Sequence, residues 1–286
     1  MLLKSREKSF ELVQFEALRG RIVFSEEQER LYKYVTAGFM GECLCDQMAE
    51  SMAERVIQLR DLLLASGGRT CQVDSLLVVA GKVYLLEIKN WEGSFEIVDG
   101  RFVGLSACPL AQLQRSKTIV EHLLRRYGFR VEVEARLLFI NPKISLYGLT
   151  RQEPVLLRHQ IEPYFRSVGE GSVWDQWDRK IGEFLLQQHV PENRFANPVV
   201  YDPGTVQCGV MCAACRVRMR PYDLLRLECP TCGTKELKRD CLGRTKAEFE
   251  ALFANKPCSR HALHIWCDGL ISRRMIYSQK VQESRF

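Results

Sequence analysis

The sequence predicts an α/β core, with a mixed sheet flanked by helices, followed by a small zinc ribbon and a short helical, helix-turn-helix-like tail. Three observations carry this expectation. Between residues 38 and 150, segments of helix, strand, strand, further strands, helix and strand character follow one another. Within them, Thr70 to Gly93 reads as two apolar strands joined by Ala80-Gly81, a two-residue hairpin turn. Further on, two Cys-x-x-Cys pairs stand 13 residues apart.

Taken in order, residues 1–37 read as an N-terminal helical segment on the outside of the core. Phe10, Leu12, Val13, Phe15 and Leu18 form its apolar stripe, Gly20 ends the first helix, and Ser25-Glu26-Glu27 opens another. Gly38–Leu64 is expected to be one long helix, with Glu42 in its first turns. Residues 38–150 form the main domain. After its central hairpin, Asp99-Gly100 marks a second one, and a helix runs from Pro109 to Tyr127 with Gln112 in its first turn. Val131–Asn141 reads as a buried strand. Residues 151–205 are a helical connector containing a helix over Trp174–His189, with linker marks at Asn197-Pro198 and Asp202-Pro203-Gly204. Residues 206–240 are the ribbon and 241–286 the tail, with a helix over Lys246–Ala254, a break at Asn255-Lys256-Pro257 and a helix capped by Ser259.

Composition narrows the class. The 286 residues are 46% hydrophobic, enough for one moderate core and small added modules. No apolar run of about 18 residues suggests a membrane span. The charged N-terminus lacks the apolar stretch of a signal peptide, so a cytoplasmic protein is expected. The 12 cysteines then read as metal ligands or small buried residues, not a disulfide framework. Net charge is +6, concentrated from Val206 onward, where 15 basic residues face 8 acidic ones. That excess suggests a polyanionic partner.

The hairpin register carries the chemistry. If Val79 pairs with Lys82, the same register sets Asp74 opposite Glu87, with Cβ atoms about 4.5–5.5 Å apart. Lys89 lies two residues beyond Glu87 and shares its face, while Leu86 and Ile88 point into a core. Opposed carboxylates repel unless a cation lies between them. Two carboxylates holding Mg²⁺ or Mn²⁺, beside a lysine that orients water, would suit phosphodiester hydrolysis. The alternative is a solvated strand face carrying a Glu-x-Lys ion pair.

The segment resembles the nuclease-related domain, a branch of the PD-(D/E)xK nuclease-like superfamily. The matching residues are Gly41-Glu42, Gln72-Val73-Asp74, Glu87-Ile88-Lys89-Asn90-Trp91-Glu92-Gly93 and Pro109-Leu110-Ala111-Gln112. The resemblance covers roughly residues 38–145 and implies a restriction-endonuclease-like sheet. It also implies that Glu42 is a further acidic metal ligand and that Gln112 supports substrate or metal. Without it, Glu42 reads as a helix-dipole residue and Gln112 as surface.

Cys212, Cys215, Cys229 and Cys232 have zinc-ribbon spacing, and a closed four-thiolate site is structural. Cys208 rivals Cys212, and Cys241 lies nearby. The tail resembles the C-terminal extension of some Gram-positive nuclease-related-domain proteins, through Phe249, Phe253 and Ser259-Arg260-His261-Ala262. It is expected to bind DNA or a protein partner. The favoured function is a Mg²⁺-dependent deoxyribonuclease whose ribbon and basic tail assist nucleic-acid binding. The alternatives are a catalytically weak nucleic-acid-binding regulator and a protein-interaction adaptor.

Overall fold

The computed structural model describes residues 1–190, 198–253 and 256–278. The linker mark at Asn197, the helix end at Ala254, the break at Asn255 and the chain beyond Ser278 lie outside the described residues. The chain divides into two units. One comprises Met1–Glu7 and Thr36–Asn193, the other Lys8–Val35 and Arg194–Phe286.

The first unit is built on a six-stranded mixed sheet. Its strands are β1 (Leu2–Lys4), β2 (Ile57–Ser66), β3 (Arg69–Val79), β4 (Lys82–Lys89), β7 (Glu132–Phe139) and β9 (Val155–Leu157), in that spatial order. β2, β3 and β4 are antiparallel; β1 runs parallel to β2, β7 parallel to β4, and β9 parallel to β7. A small second sheet joins β5 (Gly93–Val98) to β6 (Arg101–Phe102) and β8 (Ile144–Tyr147). Both hairpins turn through two residues of positive φ, Ala80-Gly81 and Asp99-Gly100, the geometry that follows the right-handed strand twist.

Helices cover both faces of the large sheet. On one face Val83 and Leu85 pack in a core with Leu113, Val120 and Leu124 of α3 (Pro109–Arg126) and with Ile181 and Leu185 of α5 (Gln176–Gln187). On the other, Leu86 and Ile88 pack with Cys45 and Ala49 of α2 (Glu26–Ala49) and with Ile161 and Phe165 of α4 (Arg158–Ser167). Burial of β4 on both faces explains its continuous apolar run.

The helix expected over Gly38–Leu64 is corrected here. The helix begins earlier, at Glu26, passes through Gly38 and ends at Ala49; Ile57–Ser66 is strand β2. Ile57 and Leu59 face the same core as Leu62 and Leu64, because the strand changes face at Asp61. This broken alternation gives a spacing that also fits a 3.6-residue period. Residues 1–37 are likewise not wholly helical, since Leu2–Lys4 form β1.

The second unit packs around Phe15 and Leu18 of α1 (Phe10–Leu18), with α6 (Lys238–Leu252), α7 (Arg260–Trp266) and α8 (Arg273–Ser278). Residues 8–35 therefore group with the cysteine-rich part and not with the α/β core, to which the sequence reading assigned them. Arg21, fully buried, bonds Glu248 at 2.6 Å and stacks on Trp266 at 4.1 Å, so its charge is both paired and covered. Phe249, Phe253 and Trp266 form an aromatic cluster with ring centroids 5.0–5.9 Å apart. Ser259 caps α7, as its sequence position suggested. The helix expected from Lys246 starts earlier, at Lys238.

Candidate active site

The site lies where β3 parts from its neighbours. The β3–β4 ladder runs from Val79–Lys82 to Ser75–Leu86 and stops one pair short of Asp74 and Glu87. There the Asp74 side chain replaces the ladder: its Oδ2 accepts from the Ile88 N–H at 2.7 Å. On the other side, Arg60 pairs with Ser75 and Leu62 with Val73, leaving Asp61 and Asp74 unpaired between them. Asp61 has φ of 55°. Beyond this point both strands turn the opposite residues inward, so Cys71 and Val73 join the core that Leu76 and Val78 face. The irregularity keeps one core continuous while setting two carboxylates at the bend.

Glu87 projects from β4 and is almost sealed from solvent, at 1% exposure. Its Oε1 accepts from Lys89 Nζ at 2.7 Å and from Gln112 Nε2 at 2.6 Å. Its Oε2 is buried with no hydrogen-bond partner. Gln112 comes from the first turn of α3, where Pro109 fixes the entry of the chain.

Helix α2 delivers Glu42 through a close contact. A Cβ on Gly41 would lie 2.5 Å from Asn90 Cβ and 3.1 Å from Ile140, so only glycine lets the helix lie on the end of β4. Asn90 Nδ2 donates to Ala37 O at 2.7 Å and fastens the same junction. The Gly-Glu and Glu-Ile-Lys-Asn segments thus meet in space, and the glycine exists for the asparagine.

Three further residues enter that the sequence reading missed. Arg6, just after β1, reaches Glu42 at 2.7 Å and Asp46 at 2.9 and 3.1 Å, and donates to Asp74 O at 2.8 Å. Asp46 also meets Arg60 at 3.4 Å. Asp61 bonds Gln72 at 2.9 Å and faces Lys4 at 3.7 Å. Asp46 was findable as the i+4 neighbour of Glu42 on one helix face. Arg6 gave no sequence signal, and Asp61 was hidden by the helix assignment.

Crowded, desolvated carboxylates resist ionisation. Burial and the neighbouring Asp74 push Glu87 up to about 7, against the pull of Lys89. Burial and Asp74 do the same to Glu42, also to about 7, against Arg6. Burial raises Asp74 too, opposed by the Ile88 N–H, Lys89 and Arg6. Among the described residues, these carboxylates are not gathered as tightly as the cysteines: the one group of three or more potential ligands within 4.8 Å of one another is Cys212, Cys215, Cys229 and Cys232.

That cluster belongs to the second unit. Its Sγ atoms approach to 3.3–3.6 Å, near the ~3.8 Å edge of a tetrahedron with metal–sulfur bonds of ~2.3 Å. Each knuckle turns on a left-handed residue after its second cysteine, Arg216 (φ 61°) and Gly233 (φ 71°). Arg216 is retained there by its ion pair with Glu248 at 2.9 Å and its bond to Glu16 O. Strands β10 (Arg220–Pro221), β11 (Arg226–Glu228) and β12 (Lys235–Leu237) complete an antiparallel ribbon. Cys208 and Cys241 are not in the cluster.

Among the described residues, no helix is long and apolar enough to cross a membrane. No curated protein matches the chain. Of solved structures, the crystal structure of protein VC1899 from Vibrio cholerae is similar at 13% identity over 56% of this chain and 37% of that one, with a TM-score of 0.26. The small subunit (R.BspD6I2) of the heterodimeric restriction endonuclease R.BspD6I is similar at 12% identity over 61% of this chain and 86% of that one, with a TM-score of 0.23. This chain thus spans little more than a third of the length of VC1899, and TM-scores this low bear on neither mechanism nor substrate. The family comparison is specific: the model of the nuclease-related domain matches residues 37–140, the span that holds Glu42, Asp74, Glu87, Lys89 and Gln112. Residues 37–140 of this chain are a nuclease-related domain.

Proposed function

We propose that the first unit hydrolyses phosphodiester bonds in DNA with a divalent cation, Mg²⁺ or Mn²⁺, held by Asp74 and Glu87. The observation that carries this reading is the orphaned Glu87 Oε2. A buried carboxylate oxygen without a donor is costly, and a hard cation would satisfy it. The raised pKa values of Asp74 and Glu87 fit this donor pair, because concentrated negative charge calls for a counterion. Bound there, the metal supplies a water of lowered pKa and Lewis-acid stabilisation of the phosphoryl oxygen.

The protein groups prepare that chemistry. Gln112 and Lys89 both donate to Glu87 Oε1, which fixes the carboxylate plane and leaves Oε2 for the cation. Lys89 Nζ, held beside Glu87, sets a positive charge where it would orient the attacking water or meet charge on the phosphate. The Ile88 N–H holds Asp74 Oδ2, and Arg6 holds the Asp74 carbonyl, so the carboxylate is fixed through side chain and backbone together. Glu42 supports the site through Arg6. In the second unit, the four cysteines suit a structural Zn²⁺, and its excess of basic residues suits nucleic acid.

The test is cleavage of labelled single-stranded, duplex and branched DNA with Mg²⁺ or Mn²⁺. Wild type is compared with Asp74→Ala and Lys89→Ala, each checked for folding. Cleavage by wild type that disappears in both variants is expected. Cleavage that survives in both variants removes the assigned site. DNA binding without cleavage in any of the three turns the assignment to a binding protein.

A further inference from the structure

Arg6 occupies an unusual position. Its side chain is 4% exposed, and four of its five N–H directions are taken by Glu42, Asp46 (twice) and the Asp74 carbonyl. It is held like a bound cation, inside the carboxylate group assigned to metal. Three carboxylates, Glu42, Asp74 and Glu87, are by type enough for a pair of divalent ions sharing a bridging ligand, ~3.5–4 Å apart. Here Glu42 is tied to a buried cation, with its Oε2 2.7 Å from Arg6 Nη1, whereas Glu87 pairs with Lys89 through Oε1 and keeps Oε2 without a partner.

The charges lead to the same place. Around the bend, Glu42, Asp46, Asp61, Asp74 and Glu87 face Lys4, Arg6, Arg60 and Lys89. With all groups ionised, five anions meet four cations. One divalent ion and one bound phosphodiester bring the site to neutrality. A second divalent ion would leave two uncompensated positive charges beside the nearly sealed Arg6 and Glu87.

We infer that Arg6 stands in for a second metal ion: it holds Glu42 outside the ligand set and limits the carboxylate site to one divalent cation. The inference rests on the metal-dependent reading above and makes Arg6 a positioning residue. Its attachment suits that role, because β1 pairs with β2 and carries Arg6 on the edge of the same sheet as Asp74.

The test counts Mn²⁺ on the full-length, zinc-loaded protein by calorimetry and electron paramagnetic resonance, independently of cleavage. Wild type and Arg6→Lys are expected to bind one Mn²⁺. Arg6→Gln is expected to bind two, with the second lost again in Arg6→Gln/Glu42→Gln. Glu42→Gln alone is expected to change Mn²⁺ affinity by tenfold or less. This last arm decides the matter even if Arg6→Gln fails to fold, since a direct ligand would cost more. Two Mn²⁺ in wild type, a loss above tenfold in Glu42→Gln, or an unchanged single site in folded Arg6→Gln would each overturn the role of Arg6 and leave the metal reading standing. No Mn²⁺ in wild type would overturn both.

Discussion

Glu87→Gln should make the protein more stable and abolish the Mg²⁺ binding proposed for Asp74 and Glu87. In the metal-free protein Glu87 is ionised only against burial and against Asp74, which raise its pKa from 4.5 to about 7. At ~1.36 kcal/mol per unit, ionised Glu87 costs the folded state about 3 kcal/mol above neutral pH. The sign follows from linkage. The folded state holds the proton to about pH 7 and the unfolded chain releases it near 4.5, so wild-type stability falls as pH rises between those values. Glutamine does not titrate, yet its amide oxygen can still accept from Gln112 and Lys89. Urea unfolding of zinc-loaded, Mg²⁺-free protein should therefore show no gain for the variant near pH 4.5. The gain should grow to about 1–3 kcal/mol by pH 8, the lower figure allowing for lost attraction to Lys89. Added Mg²⁺ should then stabilise wild type and leave the variant unchanged. A variant less stable than wild type at pH 8, or a difference independent of pH, would refute the reasoning.

Three other outcomes are expected. Gly41→Ala puts a Cβ 2.5 Å from Asn90 Cβ, so it should destabilise by roughly 1–3 kcal/mol and weaken Mg²⁺ binding by displacing α2; a gain in thermal stability, the usual helix effect of alanine, would refute the packing argument. Mg²⁺ affinity measured by calorimetry should rise with pH by up to about tenfold per unit below 7 and level off above it, because the cation must displace the proton of Glu87; a flat profile from pH 5 to 8 would contradict the raised pKa. The second unit should bind one Zn²⁺ through its four cysteines, and Co²⁺ in its place should give the intense thiolate-to-metal absorption of a tetrahedral site. Chelation should abolish the fixed environment of Trp266 in near-ultraviolet circular dichroism, and retention of that signal without metal would refute a folding role.

The proximity of Asp74, Glu87 and Lys89 was legible because a tight hairpin makes register a matter of addition. Val79–Lys82 is a local pair, and the ladder counted from it reaches Ser75–Leu86, one step short of the expected Asp74–Glu87 pair, where Asp74 bonds the Ile88 N–H instead. The cysteine cluster was legible for a similar reason, two short-range pairs brought together by one ribbon. What local pattern could not convey was the bend at Asp61 and Asp74. A strand that changes face loses its two-residue period, and the apolar spacing of β2 fits a helix on that account. Arg6 was hidden more deeply: it follows a three-residue strand whose pairing partner lies more than fifty residues away. The need for glycine at position 41 was also invisible, because it depends on where Asn90 and Ile140 come to rest.

The second unit draws its core from both sides of the first unit in the sequence, and this sets an order of events during synthesis. Phe15 and Leu18 leave the ribosome early, but their partners Val206, Phe249 and Trp266 follow about 200 residues later. At ~5–20 residues per second, the apolar side of α1 waits on the order of 10–40 s before its core can close. The nuclease-related domain, encoded in between, can finish folding during that interval. A fragment carrying only the cysteine-rich C-terminal part would never receive α1, and should aggregate through the surface that Phe15 and Leu18 normally cover. Supplying residues 8–35 as a separate peptide would be the natural way to restore it.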